Sequence, residues 1–115
     1  MILDMGLKKN PLLALKWYRK SWQYEGKSGG VCSNIASLYA GLGNIRQAKF
    51  WWNKAILELN DGDAALDYAK FLINRKNKRD YHKIMELLKF AIKSDYITEI
   101  SKEEAGQLLK NLEST

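Results

Sequence analysis

Apolar residues along this chain recur with a helical period. Cys32, Ile35, Ala36 and Tyr39 fall at i, i+3, i+4 and i+7, and Ala48, Trp52, Ala55, Ile56 and Leu59 fall on one stripe of a second segment. Small residues recur inside each stripe. They let helix backbones approach closely while aromatic neighbours fill the flanking space. The polar positions between stripes carry boundary signals. Asn10-Pro11 supplies a cap and a first-turn proline, Gly26 to Gly30 reads as a loop, and Gly43-Asn44 ends one helix and opens the next. Asn60-Asp61-Gly62-Asp63 is a turn with Asp63 placed to cap the next helix, and Asn74 to Asp80 is a polar, strongly basic connection. Ser101 and Glu104 form a capping-box pattern before Ala105, Leu108 and Leu109. The pattern predicts helices near 11–25, 31–42, 45–59, 63–74, 81–94 and 102–112.

The stripes repeat. Ala14-Leu15-Lys16-Trp17-Tyr18-Arg19-Lys20-Ser21 aligns with Ala48-Lys49-Phe50-Trp51-Trp52-Asn53-Lys54-Ala55 at an offset of 34, and more weakly with the segment beginning at Ile84 a further 36 on. A second series matches Val31, Ile35, Ala36 and Tyr39 to Ala64, Tyr68, Ala69 and Leu72 at an offset of 33. Extended outwards, it puts Ile2 and Gly106 on the small-residue position, and Met5 and Leu109 on the tyrosine position. Because Ile2 already sits mid-helix, the first helix lacks its N-terminal half. A short cap or a piece of a longer array accounts for this equally well. The expectation is one all-α domain over 1–115: an α-α superhelix of about six helices in antiparallel pairs. It divides into an incomplete first repeat (1–28), two repeats (29–62 and 63–93), and a loop with a capping helix (94–115).

Segment 32–60 resembles the tetratricopeptide family. Ile35-Ala36-x-x-Tyr39, Ala48-x-x-x-Trp52 and the turn Leu42-Gly43-Asn44-Ile45-Arg46-Gln47-Ala48 carry the likeness. Trp17-Tyr18 before Arg19-Lys20-Ser21 is similar to the related Sel-like repeats. The chain departs from the pattern where Cys32 replaces an aromatic and Asn60 a proline. The resemblance implies a scaffold that binds peptides or protein surfaces, without catalysis. In such repeats the first helix of each pair lines the concave face, which places Ser33, Ser37 and Ala40, then Leu66, Lys70, Ile73 and Asn74, at a partner. A Leu66 and Ile73 pair exposed there would call for an apolar contact.

Charge adds a polarity to this picture. The net charge is +6, yet residues 1–57 hold nine Lys/Arg against Asp4 and Glu25, while residues 58–115 hold ten against eleven acids. A basic N-terminal half suits an acidic partner or a nucleic-acid backbone, and it equally suits a solubilising surface. Lys8, Lys9, Lys16, Arg19 and Lys20 are its core. No apolar run approaches the roughly 20 residues that span a bilayer, and the N-terminus lacks a secretory pattern. One cysteine, Cys32, permits no intrachain disulfide, so a reducing, cytoplasmic setting is expected.

Candidate chemistry is sparse. His82 is the single histidine, and zinc needs three or four ligands, so no metal or other cofactor is expected. Cys32 lies on a core stripe and reads as inert. Gly29-Gly30 and Gly41-x-Gly43 lack the context of a phosphate loop, and Asp61 with Asp63 makes a remote acid–base pair. Arg75 to Arg79 reads as a solvated basic loop. Tyr18, Trp22 and Trp52 fall on packing positions, leaving Trp17 and Trp51 as partner contacts. The expectation is therefore a non-catalytic interaction scaffold for a protein or peptide, an acidic one being among the candidates. One special form is a bacterial immunity or antitoxin protein that neutralises a toxin. From another class comes an RNA-binding repeat module that uses the basic half.

Overall fold

A computed structural model of the protein describes residues 10–24 and 28–114. Ile2, Met5, Lys8, Lys9 and the 25–27 end of the first loop lie outside the described residues. Among the described residues six α-helices follow one another: α1 (Pro11–Tyr24), α2 (Gly29–Gly41), α3 (Ile45–Leu59), α4 (Gly62–Arg75), α5 (Tyr81–Lys93) and α6 (Glu99–Glu113). A single 3-10 turn, Lys78–Asp80, precedes α5. The predicted all-α class and six helices are therefore present.

Every helix except α5, where Asp80 makes no side-chain cap bond, begins where a side chain satisfies a free backbone N–H. Asn10 Oδ1 accepts from Leu13 N at 3.1 Å, Ser28 Oγ from Val31 N at 3.2 Å, and Asn44 Oδ1 from Gln47 N at 3.3 Å. Two predicted caps are corrected. Asp61, not Asp63, caps α4 by accepting from Ala64 N at 3.1 Å. Thr98, not Ser101, caps α6, with Oγ1 accepting from Ser101 N at 3.2 Å, so the helix starts at Glu99, three residues earlier than predicted. Gly43 (φ 82°) closes the α2–α3 turn in the left-handed region.

The short turns fold neighbouring helices antiparallel. Helices α2, α4 and α6 touch in sequence and form one layer, while α1, α3 and α5 form the other. The stack measures 43 × 28 × 25 Å. Its close approaches rest on alanines: Ala36, Ala48, Ala55, Ala64, Ala65, Ala69, Ala91 and Ala105 are all fully buried. Trp52, Ile35, Leu72 and Leu88 fill the spaces between them, each large apolar side chain contributing about 1.5–3 kcal/mol by leaving water. The predicted small-residue position in α6 is corrected by one. Ala105 is buried and Gly106 only half-buried. Ala69 to Ala105 spans the same 36 residues as Ala48 to Ile84, because the longer Lys76–Asp80 connection shifts both later helices together.

The turns before α4 and α6 also meet directly. Ser94 Oγ donates to Asn60 O at 2.7 Å, and Gly62 N donates to Tyr96 O at 2.9 Å. Thr98 N and Oγ1 donate to the two carboxylate oxygens of Asp63 at 3.2 and 3.1 Å. Gly29 and Gly62, the first residues of α2 and α4, both sit against the following repeat. A Cβ on Gly29 would run into the Asp61 carboxylate, and one on Gly62 would lie 2.8 Å from the Cβ atoms of both Ser94 and Ile97.

Candidate ligand groove between α2 and α4

The exposed stripe of α2, Gly30, Asn34, Ser37 and Gly41, is uncharged, as is the whole helix. Opposite it, Asp67, Lys70, Phe71 and Asn74 fall at i, i+3, i+4 and i+7 of α4. Together they enclose an open cavity of about 330 Å³, lined by Ser37, Ala40, Trp52, Asp67, Lys70, Phe71 and Asn74. Trp52 reaches it from α3 and is 2% exposed. Its indole stacks on Tyr68 (centroids 5.2 Å apart, planes at 10°) and leans on Phe71 at 5.1 Å. The indole Nε1–H has no hydrogen-bond acceptor, which is costly for a buried donor.

Polar ties fix the groove walls. Ser33 Oγ donates to Asp67 Oδ2 at 2.7 Å, linking α2 to α4. Burial pushes the Asp67 carboxyl above its ordinary range, and the Ser33 bond and Lys70 oppose that push. Lys70 Nζ lies 2.9 Å from Glu104 Oε2, linking α4 to α6.

Of the residues expected at a partner, Ser37, Ala40, Lys70 and Asn74 line the groove. Ser33 is buried behind it and holds Asp67. Leu66 is corrected outright: it is 2% exposed, because α4 packs against α2, α3, α5 and α6 and buries a broad arc of its surface. Ile73 is half-buried and faces a different, smaller pocket with Leu72, Lys76 and Tyr81. Asp67, Phe71 and Trp52 belong to the groove and escape the sequence pattern. The signal for two of them is the offset of 34, which carries Ser33, Ser37 and Ala40 onto Asp67, Phe71 and Asn74. Core positions repeat at 33, but facing positions pair at 34, as the Ser33–Asp67 bond does.

The basic residues Lys16, Arg19 and Lys20 are exposed on α1, away from this groove, while Lys8 and Lys9 lie outside the described residues. Trp17 is 49% exposed, as expected of a contact residue, but Trp51 is corrected to buried, at 9%. Trp22 from α1 and the neighbouring Phe50 each meet it edge-on at 5.7 Å. His82 is exposed. Cys32 is fully buried, and burial raises its thiol pKa to about 11, which removes the reactive thiolate at neutral pH. Asp61 and Asp63 are occupied by the α4 cap and by Thr98. Among the described residues no three His, Cys, Asp or Glu side chains converge on a point that could hold a metal ion, and no helix is long and apolar enough to cross a membrane. The class defined by this geometry is an all-α, repeat-like helical stack with an open groove on one layer. Compared with protein-family profiles, curated proteins and solved structures, the chain matches none.

Proposed function

We propose that the chain is a non-catalytic, tetratricopeptide-like binding module of the cytoplasm that holds an extended segment of a partner protein between α2 and α4. The observation that carries this reading is the open groove between α2 and α4, floored by the buried Trp52 and walled by side chains suited to a peptide main chain. A peptide offers carbonyl acceptors along its length, and Asn74 can both donate to and accept from such a backbone. Small Ser37 and Ala40 leave room on one wall, while Phe71 supplies apolar contact on the other. Lys70 can exchange its exposed partner Glu104 for an acidic side chain of the ligand, since exposed pairs are worth little.

Selection from a random dodecapeptide library tests this. Selected peptides are expected to lose at least tenfold in affinity on Lys70→Glu or Asn74→Ala, and nothing on Lys89→Glu in the opposite layer. No selected binder, or binders indifferent to Lys70 and Asn74, would refute the groove as the site.

A further inference from the structure

The other layer carries a different surface. Helices α1, α2 and α3 hold six cations, Lys16, Arg19, Lys20, Arg46, Lys49 and Lys54, against one acid, Glu58. That acid is spent on Lys54, 2.9 Å away. All six cations lie on α1 and α3, because α2 is uncharged, and among the described residues Lys16, Arg19, Arg46 and Lys49 have no counter-ion. Each of these two helices also carries one large ring in the open: Trp17, 49% exposed, and Phe50, 55% exposed. Each has a lysine beside its ring. Lys20 Nζ is 5.4 Å from the Trp17 centroid, and Lys54 Nζ is 5.9 Å from that of Phe50. Phe50 is held rigidly for an exposed side chain, since it meets Trp51 edge-on at 5.7 Å and Trp51 is braced by Trp22 in the same way.

We propose that this α1–α3 face binds single-stranded nucleic acid, with Trp17 and Phe50 stacking on unpaired bases and Lys16, Arg19, Lys20, Arg46 and Lys49 neutralising the phosphates. Exposed aromatic faces interleaved with cations are the arrangement that recognises unstacked bases along a charged backbone. A duplex hides its bases from such rings, and an acidic peptide has no flat faces for them, so both satisfy the charge alone. The proposal does not rest on the groove reading, since it uses neither α4 nor α6.

The test uses the full chain and fluorescein-labelled dodecamers of uridine and deoxythymidine in an anisotropy titration. Binding is expected at 50 mM salt, with log affinity falling against log salt at about 0.7 per phosphate neutralised, a slope near −3 for four to five contacts. Lys16→Glu with Lys20→Glu lowers that slope by about 1.4. Trp17→Ala and Phe50→Ala each weaken binding roughly tenfold while leaving the slope unchanged, because they remove stacking and not charge. Lys70→Glu, in the groove, changes it less than twofold. Circular dichroism checks that the two ring variants fold, which their exposure leads one to expect. No binding at 50 mM salt overturns the proposal. So does equal competition by polyglutamate or by duplex at matched charge, or indifference to both ring variants, which would mark the face as a generic polyanion surface.

Discussion

Helices α1 to α3 carry six cations and a single acid, and among them only Lys54 and Glu58 form an ion pair. In the half beginning with the Asp61 turn, five of the ten acids are built into the fold. Asp61 caps α4, Asp63 holds Thr98, Asp67 takes the Ser33 hydroxyl, Glu86 pairs with Lys83 and Glu104 with Lys70. The charge asymmetry along the chain is thus also an asymmetry of use. In the C-terminal half charge ties one repeat to the next. In the N-terminal half most of it faces solvent, and cohesion comes from small-residue and aromatic packing around Ala36, Ala48, Trp51 and Trp52. A stack whose repeats differ in this way tests whether packing alone holds one end as firmly as packing with polar ties holds the other.

The largest effect expected concerns Cys32, inside the half without those ties. If that half is well closed, its fully buried thiol, raised to about 11 from an ordinary 9.0, has roughly a hundredth of the usual thiolate at pH 8. Modification by a disulfide reagent is then expected to run at least 100-fold slower in the native chain than in urea. A rate within tenfold of the unfolded chain would show that the N-terminal half opens readily and would break the comparison.

Next come the paired glycines. Gly62→Ala drives a Cβ against two other Cβ atoms, of Ser94 and Ile97, which cannot move without their backbones, and about 1–3 kcal/mol of stability is expected to be lost. Gly29→Ala also meets a Cβ, that of Asp61 at 2.7 Å, behind a carboxylate that can itself rotate away. The cost is then a similar backbone shift together with the α4 cap, about 2–4 kcal/mol. Urea unfolding of the two variants ranks them, and a larger loss at Gly62 would show that the Asp61 cap adds nothing at the first junction. Smaller again is Thr98→Val, which keeps the shape but removes the α6 cap and one bond to Asp63. The expected cost is about 1 kcal/mol, with amide exchange quickening in α6 and unchanged around Cys32.

These contrasts show why the fold is legible in the residues and the groove only partly so. Helix positions follow from apolar period and from caps such as Asn10 and Asn44, which act locally. The buried state of Cys32, Ala36 and Ala69 follows from the stripe they share. Trp51 departs from its expected exposure because its burial depends on Trp22 arriving from another helix, and no pattern within α3 contains that. Leu66 departs likewise because α4 has four neighbours, so one apolar stripe understates what it buries. Asp61 and Thr98 displace the expected caps because the turns before α4 and α6 interlock, Asp63 being drawn to Thr98 and so unavailable to its own helix. In each case the missing information is a contact between repeats.

The smallest effect tests a side-chain tie that crosses the comparison, Ser33 to Asp67. Burial holds the Asp67 carboxyl above its ordinary value, the Ser33 hydroxyl and Lys70 pull it back, and Asp63 and Glu104 push it up a little further. The native chain therefore binds this proton more tightly than the unfolded chain does. Stability from this group is greatest below the unfolded carboxyl value and is lost as pH rises through the folded one. Asp61 is shifted in the same direction. A net charge of +6 that grows in acid works the opposite way, through self-repulsion, in wild type and variant alike. The difference between the two unfolding curves isolates Asp67. Asp67→Asn keeps an oxygen to accept from Ser33 and loses the titration, so it is expected to match or exceed wild type by a few tenths of a kcal/mol at pH 7, where water at the exposed edge of the groove screens the charge. That margin is expected to close as pH falls toward about 4. A variant that is destabilised at pH 7 by more than about 1 kcal/mol would mean that the ionised carboxylate itself, and not merely its hydrogen bond, holds the two halves of the stack together.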